Sequence, residues 1–77
     1  MKNIIDLHGV SHKEAAKKVE NELILSSLND NFEFEIITGN SSTMQKIIID
    51  EVLKPFNFNY YISSNNLGSI LVSNTTL

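Results

Sequence analysis

Hydrophobic and polar positions alternate with a period of two in three stretches of the chain. In Lys2–Leu7, Ile5 and Leu7 share one face, while Ile4, Asp6 and His8 share the other. In Phe32–Thr38, Phe34 and Ile36 alternate with Glu33 and Glu35. In Phe56–Ile62, Phe56, Phe58, Tyr60 and Ile62 fall on one side, with Asn57, Asn59 and Tyr61 on the other. Successive strand side chains leave opposite faces, so this spacing predicts half-buried strands. Ser69–Ser73 is a fourth, shorter strand. Between them the period becomes helical. Ala16, Val19 and Leu23 form one stripe, with Ala15 and Leu28 beside it, which predicts a helix from His12 to about Leu28. Met44, Ile48 and Val52, widened by Ile47, Ile49 and Leu53, predict a more deeply buried helix over about Thr43–Lys54.

The polar segments supply the starts and stops. Ser11 and Glu14 have capping-box spacing, as do Ser42 and Gln45. Pro55 cannot continue a helix, Asn29-Asp30-Asn31 is a turn cluster, and Ser63–Gly68 has Asn/Gly hairpin chemistry. The order is βαβαββ, one small domain over residues 1–73 with a loose tail at 74–77. Right-handed crossovers make the first three strands parallel. Their carboxyl ends then bring Asp6–Gly9, Thr38–Thr43 and Ser63–Gly68 to one edge, with both helix starts, where open α/β sheets bind ligands. Both helices are expected on one face of a single mixed sheet.

Composition narrows the chemistry. The chain has 77 residues, no cysteine and 42% hydrophobic residues, so disulfides and thiolate metal sites are excluded. His8 and His12 are the only imidazoles, and a zinc site joining them to a carboxylate is not the favoured reading. No apolar run is long enough to cross a bilayer and no leader pattern precedes the first strand. A cytoplasmic monomer without membrane contact is the default expectation. The net charge of −3 and pI near 5.1 argue against a strong nonspecific grip on nucleic acid, although a local basic patch remains open.

The candidate chemistry sits at the loop edge. On a strand, Asp6 and His8 share a face with α-carbons roughly 7 Å apart. An imidazole suits proton transfer in phosphodiester cleavage. Asp6 could orient it or hold a divalent ion such as Mg²⁺ or Mn²⁺. The competing reading is that the pair ties the loop by hydrogen bonds. Gly9 permits a sharp turn. The Gly39–Thr43 backbone, with Thr38, Gly39, Asn40, Ser41 and Ser42, offers N–H groups and hydroxyls for a phosphate, or simply helix capping. Asn66 and Gly68 could touch a nucleic-acid backbone, though a hairpin turn explains them. Tyr60 and Tyr61 point to opposite faces. Lys13, Lys17 and Lys18 read as a solvated helix face, and His12 as a surface residue.

Three of these motifs, in order, resemble the Smr (small MutS-related) domain. Asp6-Leu7-His8-Gly9 is similar to its Asp-Leu-His-Gly signature. Ile37-Thr38-Gly39 stands where the family has His-Gly-x-Gly or Thr-Gly-x-Gly, and Asn66–Val72 looks like its closing glycine and apolar strand. The chain departs from that pattern at Ser41, which replaces the second glycine, at Thr38, which leaves no second imidazole, and at Asn40, where a basic residue is common. It looks like a short stand-alone variant with a Thr-Gly-x-Ser loop. The resemblance implies a two-layer α/β sandwich with sheet order 1-2-4-3 and the last strand antiparallel, like the C-terminal domain of translation initiation factor three. It also implies binding of DNA or RNA, with endonuclease activity in some members. The acidic balance leaves a second function open: a noncatalytic domain that docks on a protein in DNA repair, replication or translation.

Overall fold

Ser69-Ile70-Leu71-Val72-Ser73 is the most thoroughly enclosed strand of the protein, with only Leu71 half-buried and the other four residues buried. That burial follows from its place. In the computed structural model, which describes residues 3–26 and 33–73, this strand (β4) lies between β2 (Glu33–Ile37) and β3 (Asn59–Tyr61), antiparallel to both. β1 (Asn3–Asp6) pairs in parallel with β2 at the far side. The four-stranded order is therefore β1-β2-β4-β3, and β1, β2 and β3 all run in one direction, as the crossover rule predicts.

Alternation along these strands sorts the side chains. Ile5, Leu7, Phe34, Ile36, Ile70 and Val72 form the sheet side of one hydrophobic core. From α1 (His12–Ser26) come Ala15, Val19 and Leu23, a stripe spaced by four, with Ala16 half-buried at its margin. From α2 (Ser42–Ile48) and the π-helical turn that follows it (Ile49–Leu53) come Met44, Ile48, Val52 and Leu53. Both helices thus cover one face of the sheet and no described helix covers the other, a two-layer α/β sandwich. Each fully buried Leu, Ile or Val contributes roughly 1.5–3 kcal/mol, and those of the sheet come from β1, β2 and β4, with Leu7 just past β1.

Several boundaries differ from the sequence reading. β2 ends at Ile37 rather than Thr38, and α2 begins at Ser42 rather than Thr43. The second helix's end, the third strand and the end of the first strand also shift. The second helix is not α-helical to Lys54: the Lys54 amide reaches back five residues to the Ile49 carbonyl (2.9 Å). The wider turn brings both Val52 and Leu53 onto the buried side, where an α-helix would have swung Leu53 outward. It also comes just before Pro55, whose ring crowds the carbonyl four residues earlier in an α-helix. The third strand is shorter than Phe56–Ile62 because the chain is still closing the helix there. Asn57 has φ 59°, its amide donates to the Lys54 carbonyl (3.1 Å), and the Phe58 amide donates to the Leu53 carbonyl (3.0 Å), a Schellman closure with asparagine in the left-handed position. Phe56 is consequently exposed, while Phe58, Tyr60 and Ile62 pack on the core margin. The first strand ends at Asp6 rather than Leu7, although the Leu7 amide still donates to the Ile37 carbonyl (3.0 Å). Lys2, Leu28, the turn at Asn29–Asn31, Phe32 and the tail at 74–77 lie outside the described residues.

Candidate functional site

Beyond Asp6 the chain turns at once. The Val10 amide donates to the Leu7 carbonyl (3.0 Å), closing a four-residue turn with Gly9 at φ 77°, a left-handed conformation that favours glycine. Asp6 accepts the His8 backbone N–H on its Oδ1 (2.9 Å). The carboxylate therefore braces the turn that carries the imidazole. Both Asp6 and His8 are exposed, and His8 sits in the turn rather than on the strand. The Glu14 amide then donates to Ser11 Oγ (3.3 Å), the first arm of the predicted capping box.

The other two loops are tied to each other. The Thr38 and Gly39 amides both donate to the Gly68 carbonyl (2.9 and 3.0 Å). Thr38 Oγ1 lies within hydrogen-bond reach of the Gly39 and Gly68 carbonyls (3.0 and 3.2 Å). Gln45 Nε2 donates to Thr38 Oγ1 (3.0 Å) and to the Leu67 carbonyl (2.6 Å). Around Gly68, the Asn66 amide donates to the Ser63 carbonyl (3.1 Å), the Asn65 amide to Ser63 Oγ (3.2 Å), and the Gly68 amide to Asn66 Oδ1 (3.3 Å). Asn66 Nδ2 donates to Ser69 Oγ (3.4 Å), which in turn donates to Glu35 Oε2 (2.9 Å). The polar atoms of Asn66 are thus engaged in holding the hairpin.

Within the expected phosphate cradle, one backbone N–H is already engaged. Gly39 has φ 67°, and its N–H is committed to Gly68 rather than turned toward solvent. The helix cap is also one residue earlier than the sequence spacing suggests. Ser41, not Ser42, is the N-cap, accepting the Met44 amide on Oγ (3.1 Å) in an extended conformation (φ −94°, ψ 102°). Gln45 then falls one position too late for a capping box and spans to the neighbouring loops instead. Asn40, Ser42 and Thr43 remain exposed at this edge. Among the described residues no group of three or more His, Asp or Glu could hold a metal ion.

The strand directions do bring Asp6–Gly9, Thr38–Ser42 and Ser63–Gly68 to one edge, and Asp6 and Ile37 are register partners directly beneath the first two. The sequence did not mark Gln45 as the tie between loops, because a bond spanning 22 residues, Gln45 to Leu67, leaves no local pattern. Elsewhere, Tyr60 is half-buried and Tyr61 exposed, and His12, Lys13, Lys17 and Lys18 are exposed on α1.

Charge is divided by layer. The helical layer carries Lys13, Lys17, Lys18, Lys46 and Lys54 against Glu14, Glu20, Glu22, Asp50 and Glu51, including an exposed Lys54–Asp50 pair at 3.7 Å. The open face of the sheet carries Asp6, Glu33 and Glu35 and, among the described residues, no lysine. None of the described helices is long and apolar enough to cross a membrane. Comparisons with family models, curated proteins and solved structures return no match.

Proposed function

We propose that the chain is a nucleic-acid-binding module of Smr type, with the loop edge as its contact surface, working in the cytoplasm. The observation that carries this reading is the convergence of the Asp6–Gly9, Thr38–Ser42 and Ser63–Gly68 loops, all hydroxyl-, amide- and glycine-rich, at the shared carboxyl ends of β1, β2 and β3. Strand carboxyl ends are the ligand-binding side of open α/β sheets, and the cysteine-free composition suits a reducing compartment. Exposed Asn40, Ser42 and Thr43 contact the phosphate backbone, and His8, held by the Asp6-braced turn, faces the same substrate. In phosphodiester cleavage His8 is the proton-transfer group and Asp6 its positioning residue, through the backbone rather than through the ring.

Titration with labelled single-stranded, duplex and structured nucleic acids at low salt tests the binding. Complexes that weaken steeply as salt rises are expected, and no complex with any of the three at low salt removes the reading. Where cleavage accompanies binding, His8→Ala lowers its rate by about 10²–10⁴-fold. Equal cleavage by parent and variant, in preparations free of contaminating nuclease, leaves a pure binding module.

A further inference from the structure

Two of the three loops at this edge are joined through very few atoms. Among the described residues, the Thr38 N–H, the Gly39 N–H and Thr38 Oγ1 all reach the Gly68 carbonyl oxygen (2.9, 3.0 and 3.2 Å). Bonds that end on one oxygen form a pivot. They hold the loops together but constrain the angle between them weakly, because a carbonyl accepts over a broad range of directions. Gln45 supplies a second point of attachment. Its Nε2 donates to the Leu67 carbonyl (2.6 Å), one residue from the pivot, and to Thr38 Oγ1 (3.0 Å). The arm itself is firmly mounted. Gln45 follows Met44 and precedes Ile48 in α2, both buried in the core, and its backbone amide donates to the Ser41 carbonyl (3.1 Å).

We propose that Gln45 is a positioning residue for nucleic-acid binding, fixing the Thr38–Ser42 loop against the Ser63–Gly68 turn without touching the ligand. The inference rests on the loop edge being the contact surface and deepens that reading. Both hydrogens of Nε2 are engaged within the protein, so none is left for a phosphate. What Gln45 contributes is preorganisation. Asn40, Ser42 and Thr43 are exposed beside this tie. A phosphate backbone that meets them in one fixed arrangement avoids the ordering cost of assembling it. Where only a fraction of the molecules hold the competent arrangement, the apparent affinity falls by that fraction.

Gln45→Met keeps the length of the side chain and removes both donors. The carbonyl it frees belongs to an exposed residue, Leu67, and turns to water, so the chain stays folded. Gln45→Asn, one methylene shorter, is the second variant. The probes are labelled single-stranded, duplex and hairpin oligonucleotides, at a temperature where parent and variants give fully folded spectra. Both variants are expected to bind about tenfold more weakly than the parent, as when roughly a tenth of the molecules hold the loops correctly. In the free variants, hydrogen exchange quickens at the Thr38 and Gly39 amides and is unchanged in the rest of β2 and β4. Adding the oligonucleotide restores that protection. A general loss of stability would instead quicken exchange throughout the sheet. Equal affinity of the parent and both variants overturns the proposal and leaves the nucleic-acid reading standing. Weaker binding with exchange raised evenly across the sheet does the same. No binding by the parent removes the reading, and the proposal with it.

Discussion

Gly39 and Gly68 meet at the loop edge, and only one of them is kept there by its backbone. Gly39 sits at φ 67° with open space where a side chain would go. Gly68 has no such conformation, and a methyl group there would lie 3.4 Å from the Gly39 carbonyl carbon, at ordinary contact distance. Gly39→Ala is therefore expected to destabilise the fold by about 1–2 kcal/mol through the left-handed backbone, and Gly68→Ala to change it little. Urea midpoints of the two variants check this, and the reverse ranking would mean that close approach is the governing constraint. Both glycines stood out in the sequence as loop residues. Their different reasons did not, because φ at Gly39 is set by the pair of amides that Gly68 receives from across the sheet edge. Asp6 repeats the lesson. Its two-residue spacing from His8 was visible, but the choice between ring and backbone as its partner was made by the turn, which presents the His8 N–H first.

At the scale of elements, the starts and stops of helices show how far local chemistry reaches. Ser41 and Ser42 are neighbours of one type, and the capping-box spacing to Gln45 favoured Ser42. The cap is Ser41 because its extended backbone points Oγ at the Met44 amide, which leaves Gln45 for Thr38 and Leu67. Ser41→Ala should lower stability by about 0.5–2 kcal/mol, whereas Ser42→Ala, exposed in the first turn, should be close to neutral in a thermal melt. A larger loss at Ser42 would place the cap there after all. The existence and type of every element were legible from the spacing of apolar residues, because burial on one side imposes that spacing. The π-helical turn was not. Met44, Ile48 and Val52 are spaced by four and satisfy an α-helix, and only the joint burial of Val52 and Leu53 beside Pro55 demands the extra residue in the turn. The shortened third strand has the same origin, since apolar alternation through Phe56 and Phe58 continued across the Schellman closure at Asn57.

For the whole molecule, the sheet order followed from the crossover rule together with the family resemblance. Its consequence, three loops on one edge, follows from the order of elements along the sequence. The distribution of charge does not. A net charge of −3 speaks against broad nucleic-acid affinity when spread over a sphere. Among the described residues the charges of the helical layer balance, while the loop edge is lined chiefly by uncharged polar groups. The net charge therefore bears less on the edge where the resemblance points than its sign alone suggests.

The central position of β4 governs the order in which the protein can be made. Among the described residues it is the last strand in sequence order and yet the one that joins β2 to β3. Until it leaves the ribosome, β3 has no neighbour in the sheet and the core lacks Ile70 and Val72, so native structure arrives late and nearly all at once, closed by contacts distant in sequence. A chain stopped after Asn66 should remain unfolded by amide dispersion, and a separate peptide of residues 67–77 should restore the folded spectrum by adding as the missing strand. A folded spectrum from the shorter chain alone would show that β1, β2 and the two helices suffice. With the outcome expected here, the protein is a natural candidate for a split pair, its assembly switched on by delivery of a single short segment.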